Sequence, residues 1–339
     1  MNYCAVLVLT LAVLVGCTNE SVLQGVPSGT AKTGVILLRY SPGSESTEQR
    51  ERGFLDTMKK EFPEIAILSD NQYAGTTHEA ARDKSEQLLL KYRDAVTGVF
   101  AVNESSAAGM FGALEENGLL GKVALVGFDP NERMVQALAE GKNQGIILQD
   151  PVKMGFLAVK TMRSHLEGEA VERWVSTGES VATPENQVDE EMQRLLKPEH
   201  FSGEDFVPTE VKYHIAVIPK GTSQEFWQSV HAGAHNAAKE LGDVQIHWKG
   251  PIREDDADGQ IDVVRDFITK KVDGICLAPL DSQALLEVVK EAKAAKIPCV
   301  IFDSNLIDND VQISYVATDN YAGGAKAARR LAEVLQMNE

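Results

Sequence analysis

From Gly34 onward, short runs of β-branched and apolar residues alternate with stretches whose apolar positions recur every three to four residues. The runs GVILLRY, EIAILSD, VTGVFAVN, KVALVGFD and GIILQD fall in the first half, and YHIAVIPK, VQIHWKG, VDGICLAPL, IPCVIFDS and ISYVATDN in the second. Their nearly unbroken apolar character predicts strands covered on both faces, as in a parallel sheet. The stretches between them, such as EQRERGFLDTMKKEF, AARDKSEQLLLKY, SQALLEVVKEAKAA and NYAGGAKAARRLAEVL, predict amphipathic helices. Strand and helix alternating in this way is the pattern of an α/β fold with crossover helices. Residues 183–212 interrupt it: they are acidic, carry Pro184, Pro198 and Pro208, and give no strand signal until Val211. They read as a linker with one short helix around 188–196, so two doubly wound parallel-sheet units follow one another.

Length agrees with that division, since 339 residues exceed what one hydrophobic core holds. The formal net charge of −17 sets the chain against nucleic acid or an anionic membrane surface as its main partner, because no basic cluster offsets the field. The first sixteen residues, MNYCAVLVLTLAVLVG, are uncharged and apolar, too short for a spanning helix and suited to a secretory signal. They end at Leu14-Val15-Gly16-Cys17, which resembles the lipobox of bacterial lipoproteins and marks Cys17 for lipid attachment. A plain cleavable signal or a buried strand are the alternatives, and the absence of Lys or Arg from MNYC departs from the lipoprotein pattern. Residues 18–33 are polar and rich in Gly, Ser and Thr, as a flexible tether would be. Cys276 and Cys299 sit inside apolar runs and read as buried core thiols, with a disulfide between them left open. No metal-ligand spacing and no cofactor motif appears; His231 and His235 in HAGAH read as surface histidines.

Ligands of open parallel sheets bind beyond the carboxyl ends of the strands. Here those ends are polar: Asn103, Asp129 and Gln149-Asp150 in the first half, and Lys220, Asp281, Asp303 and Asp319-Asn320 in the second. Asp281 and Asp319 read as helix caps. Glu225-Phe226-Trp227 follows at a helix start. Amide and carboxylate groups that pair with hydroxyls, beside aromatics that cover a ring face, suit a neutral sugar.

At these residues the chain resembles the ribose-type periplasmic sugar-binding proteins, the substrate-binding components of ABC importers. The second half is similar to the beginning of such a protein, in IAVIPKGTSQEFWQSVHAGAHNAAKELG, VDGICLAPLDSQAL, IPCVIFDS and SYVATDNYAGG. The first half is similar to its end, in RERGF, SDNQYAGTTHEAA, VFAVNESSAAGM, VALVGFD, IILQDPVKMG and WVSTGESVATPEN. The resemblance runs from Gly34 to about Leu335 with the halves in permuted order. It implies a type I periplasmic binding protein: two doubly wound parallel-sheet lobes joined by a hinge, with crossings near 149–151, 182–185 and 317–320. One lobe would hold 34–149 plus about 185–200 and 320–336, the other 150–183 plus 212–319, and 183–212 would join the family's old ends.

Carried over position by position, the resemblance implies ligand contacts from Phe226, Trp227 and Asp303 on one lobe and from Arg50, Asn103, Asp129 and Gln149 on the other. Tyr73 and Thr76 fall in a loop that lines such clefts; Glu225 and Lys220 stand at positions of variable contact. It further implies a monomer in the periplasm or cell envelope that delivers a sugar to a membrane permease, with a sensor for a chemotaxis or kinase partner as the alternative. A repressor of similar core would need a helix-turn-helix and a basic patch, and the chain offers neither. An enzyme is not expected: there is no GxSxG or GxxxxGK[ST] motif. An Asp129–Asp303 acid pair is set aside on the expectation that a neighbouring Arg keeps both ionised.

Overall fold

A computed structural model describes residues 34–337. Strands β1 (Gly34–Arg39), β2 (Ala66–Tyr73), β3 (Gly98–Ala101), β4 (Ala124–Phe128) and β5 (Gly145–Leu148) form a parallel sheet ordered β2-β1-β3-β4-β5. Strands β8 (Tyr213–Ile218), β9 (Val244–Trp248), β10 (Gly274–Leu277), β11 (Cys299–Phe302) and β12 (Ser314–Ala317) repeat the same order as β9-β8-β10-β11-β12. We call the units built on them the leading and trailing lobes. Two three-residue edge strands complete the sheets: β6 (Trp174–Ser176) lies parallel to β12, and β7 (Ser180–Ala182) antiparallel to β5. Neither was expected, because three residues carry no periodic signal.

Side-chain alternation explains how each strand serves two cores. In β1, Ile36 and Leu38 join one cluster of the leading lobe while Val35 and Leu37 join the other. In the trailing lobe, Ile275 and Leu277 face one side and Cys276 the other, whereas Cys299 and Ile301 face the first side. Cys276 and Cys299 therefore lie on opposite faces of the sheet, and both are free thiols. The possible disulfide is thereby excluded.

The helices are α1 (Glu45–Glu61), α2 (His78–Lys91), α3 (Glu104–Glu116), α4 (Glu132–Ala139), α5 (Pro151–Leu166), α6 (Glu190–Leu196), α7 (Glu225–Leu241), α8 (Ala257–Lys270), α9 (Leu286–Ala294) and α10 (Asn320–Met337). Two pairs cross in close contact, α1 with α10 in the leading lobe and α5 with α7 in the trailing one. Glycines allow it in both. A Cβ on Gly324 would meet the Arg50 carbonyl oxygen at 1.9 Å, and one on Gly155 the Val230 carbonyl oxygen at 2.0 Å. Asp319 acts as the expected cap, its Oδ1 accepting from the Ala322 N–H, whereas Asp281 Oδ1 accepts from the Gln283 and Ala284 N–H groups in a turn ahead of α9, whose N-cap is Leu285.

The chain passes between lobes at 149–150, where β5 leads into α5, and again at 318–319, where β12 leads into α10. A third passage lies at 177–179, between β6 and β7, rather than at 182–185. The reason is the antiparallel pairing of β7 with β5, which places 180–182 in the leading lobe and shortens the segment 150–183 assigned to the other. The stretch 183–212 is also more than a linker. Met192, Leu195 and Leu196 of α6 are buried in the leading core, and 201–206 straps across α7. There Phe201 stacks on His231 with centroids 3.8 Å apart, His231 Nε2 donates to Asp205 Oδ1 at 2.8 Å, and its ring lies flat on Trp248. His231 is therefore buried rather than a surface residue. Among the described residues no helix is long and apolar enough to cross a membrane, and no cluster of His, Cys, Asp or Glu could hold a metal.

Candidate functional site

Strand tips of both lobes meet at one cavity of about 30 Å³. Arg50, Asn103, Asp129, Gln149, Phe226, Trp227 and Asp303 all line it, together with Lys220. Tyr73 does not: it ends the outermost strand β2, where the Arg39 guanidinium covers its ring at 4.6 Å. Thr76 and Glu225 line a flanking cleft of about 930 Å³, and Glu225 also a second of about 640 Å³.

Each lining group has a local cause. Asn103 caps α3, its Oδ1 accepting from the Ser106 N–H, so one side chain both starts a helix and faces the cavity. Arg50 reaches the cavity from α1 and is buried by three partners: Nε donates to Asn320 Oδ1 at 2.8 Å, an Nη donates to the Val102 carbonyl at 3.0 Å, and the guanidinium lies 3.7 Å from the Phe128 ring centre. Its separation from Asp129 is 3.8 Å. Phe226 and Trp227 meet edge to face, with centroids 4.9 Å apart. The Trp227 ring packs in the trailing core while its Nε1–H donates to Glu254 Oε1.

Several contacts join the lobes around the cavity, among them Ser304 Oγ to Ser46 Oγ at 2.8 Å and the Asn305 N–H to Glu45 Oε2 at 3.0 Å. Lys220 of the trailing lobe pairs with Asp303 at 2.7 Å and donates to Ser304 Oγ at 2.6 Å, then reaches Ser46 and Ser44 of the leading lobe at 3.2 and 3.3 Å. Tyr40 of the leading lobe donates to Glu254 Oε2 at 2.6 Å. A hydrogen-bond chain also ties the three passages together. Thr177 and Thr318 hydroxyls lie 3.2 Å apart, Thr318 donates to Gln149 Oε1 at 3.0 Å, and Gln149 Nε2 donates to Asp129 Oδ1 at 2.9 Å. The three passages at 149, 177 and 318 are thus linked through hydrogen bonds to a cavity carboxyl.

Burial governs the carboxyls. It pushes Asp129 up to about 7, outweighing the lowering by Arg50 and the Gln149 hydrogen bond, with Asp303 and Glu104 adding to the rise. Arg50 therefore does not hold this strand-tip carboxyl in the ordinary carboxylate range, as the sequence suggested, because burial outweighs its charge. Burial likewise raises Glu254, with the Asp303 charge adding to it.

Sequence reasoning missed Tyr40, Glu104 and Glu254. Tyr40 was findable as the residue following the first strand, the place that Lys220 holds in the other lobe. Glu104 stands next to Asn103, and Glu254 lies in REDDAD without a distinguishing signal.

The description "Periplasmic binding protein domain" covers a family model that matches residues 19–170 and 215–337. The chain belongs to the periplasmic binding protein family. This periplasmic binding protein is 31% identical over 137 residues to a D-ribose/D-allose-binding protein of Pseudomonas aeruginosa, a match covering 39% of this chain and 43% of the relative. It is 26% identical over 121 residues to a D-apiose import binding protein of Actinobacillus succinogenes, covering 36% and 38%. The chain thus spans less than half the length of the curated relatives it matches. The solved structure of a glucose-galactose binding protein from Geobacillus stearothermophilus overlays with a TM-score of 0.56 over 90% of this chain and 91% of that one, at 14% identity, and shares the type I fold.

Proposed function

We propose that this periplasmic binding protein holds a small sugar or polyol between its lobes, closes on it about the three passages, and presents it to an ABC permease without altering it. One observation carries the reading: strand-tip amides, carboxyls and cations from both lobes converge with Phe226 and Trp227 on a single cavity. Hydroxyls both donate and accept, so they satisfy such a mixed set, and a ligand contacting both lobes favours the closed arrangement. The cavity of about 30 Å³ is far below the roughly 300 Å³ of a usual ligand pocket, so the Lys220 and Tyr40 bridges must part for entry. The relatives' names, which are binding and import names, support a carrier rather than a catalyst. Calorimetric titration with pentoses, hexoses and polyols tests the reading, and heat from none of them would overturn it.

Family membership supports a periplasmic or envelope location. Lipid attachment at Cys17, which lies outside the described residues, belongs to the same proposal; Cys17→Ser is expected to move the protein from the membrane to the soluble fraction.

The permuted order is a second part of the proposal. The alignments to the two named relatives follow only 39% and 36% of the chain, while a fold match follows 90%. A colinear alignment to relatives in the other order can follow one half at a time, whereas two lobes of the same strand order overlay in either arrangement.

A further inference from the structure

The cavity lining holds four carboxyls, Glu104, Asp129, Glu254 and Asp303, against two cations, Arg50 and Lys220. The cations are spoken for: Lys220 is 2.7 Å from Asp303, and Arg50 faces Asp129. Glu254 receives only neutral donors, the Tyr40 hydroxyl and the Trp227 Nε1–H. Glu104 is the least satisfied of the four. It is 4% exposed, its Oε1 meets His78 Nε2 at 3.0 Å, and its Oε2 is buried with no hydrogen-bond partner. It also lines all three cavities at the lobe junction, so a ligand entering by either flanking cleft passes it.

A buried carboxylate oxygen without a donor is costly, and an excess of like charges in one cavity compounds the cost. Asp129 is pushed upward chiefly by burial, and the Asp303 and Glu104 charges add to it. A ligand bearing one positive charge would answer the excess of like charge, by a charge-assisted hydrogen bond to Glu104 Oε2 in a water-poor site. We propose that the ligand is an amino sugar or amino polyol, its ammonium group held by Glu104 between the lobes and its hydroxyls shared among Asp303, Asn103 and Gln149. This rests on the cleft being a sugar site and replaces the neutral ligand that the sequence suggested with a cationic one.

The test is titration of the full chain with matched pairs: D-glucosamine against D-glucose, D-galactosamine against D-galactose, and the N-acetyl forms, in which the charge is removed. The amine of at least one pair is expected to bind about ten-fold or more tighter than its hydroxyl and N-acetyl counterparts, equivalent to about 1.4 kcal/mol. In Glu104→Gln that preference should collapse to about two-fold or less. Equal or tighter binding of the uncharged members overturns the ammonium assignment and leaves the sugar reading intact. Binding by no member of any pair, with a pentose, hexose or polyol of the wider panel bound, overturns the ammonium assignment alone; binding by nothing in either set overturns both. The comparison on the unaltered chain decides the matter even where Glu104→Gln fails to fold.

Discussion

Asp129 and Asp303 immediately follow β4 and β11, equivalent strands of the two sheets, and both take the left-handed backbone conformation, with φ of 64° and 62°. That conformation costs an L-residue about 1–2 kcal/mol, less for Asp and Asn, and is retained where the surroundings over-determine it. Two such turns at equivalent places bring a carboxyl of each lobe to one cavity. The lobes then differ in how they answer the charge. Lys220 contacts Asp303 directly at 2.7 Å, whereas Arg50 stands 3.8 Å from Asp129 and binds elsewhere.

A pH dependence follows from Asp129. Its carboxyl rises to about 7 in the fold because burial disfavours the anion. The folded chain therefore binds that proton more tightly than the unfolded one, in which the value is about 3.9. Its contribution to stability is complete below about 3.9 and fades as pH rises through about 7. At about 1.4 kcal/mol per unit the loss amounts to a few kcal/mol at most. Asp129→Asn, which cannot ionise and tolerates a positive φ, should lose less stability between about pH 5 and about pH 8 than the native chain. Urea unfolding at both values checks it, and parallel pH slopes for the two proteins would count against it.

Asp303 makes a different prediction. Asp303→Asn keeps a carbonyl acceptor for Lys220 and the left-handed turn, so its melting temperature should fall by only a few degrees, a loss of about 1–2 kcal/mol. Asp303→Val should cost about 1–2 kcal/mol more, because a β-branched residue is strained at that φ. Both should lose the thermal stabilisation given by ligand. Differential scanning with and without the best-binding sugar separates the two effects; Asn and Val variants of equal stability would refute the backbone argument.

Glycine packing links the hinge side of the leading lobe to the site. A Cβ at Gly324 meets the Arg50 carbonyl oxygen, so Gly324→Ala must displace α1 where it carries Arg50. Overpacking of this kind costs about 1–3 kcal/mol. Gly155→Ala in the trailing lobe meets Val230, which does not line the cavity, and should cost about the same. Ligand affinity distinguishes them: Gly324→Ala is expected to weaken it several-fold more than Gly155→Ala. Equal affinities would show that Arg50 is not positioned by this contact.

Much of this architecture was readable because buried parallel strands announce themselves as apolar runs, and the seven residues expected to contact ligand line one cavity because the strand tips of a doubly wound sheet and the helix starts that follow them share one end. Tyr73 failed because its strand is the outermost of the sheet, a consequence of strand order rather than of local sequence. The strap of 201–206 was missed for a related reason. Its anchors, Phe201 and Asp205, act against His231 and His235 on α7, distant in sequence, and nothing periodic marks them. Charge balance in the cavity was equally hidden, since Glu254 looks like any other member of an acidic loop until Trp227 and Tyr40 are seen to donate to it.

The proposed order of the halves can be tested by rewriting the chain. Gln336 of α10 donates to Glu64, two residues before Ala66, and Ala66 pairs with Gly34 in the sheet. The two ends of the described chain are therefore neighbours on the leading lobe, as a shifted start requires. A chain running from 213 through 337 and then, after a short Gly/Ser joint, from 34 through 196 retains every strand of both sheets. It gives up the strap across α7, whose Phe201 stack and Asp205–His231 contact should be worth about 1–3 kcal/mol together. The rewritten protein should melt several degrees lower and bind the same sugar with an affinity within about three-fold, because no residue lining the central cavity lies in 197–212, which reaches only a flanking cleft through Lys197, Pro198 and His200. Loss of binding in a rewritten chain that still unfolds cooperatively would show that the present order, and not the shared fold, builds the site.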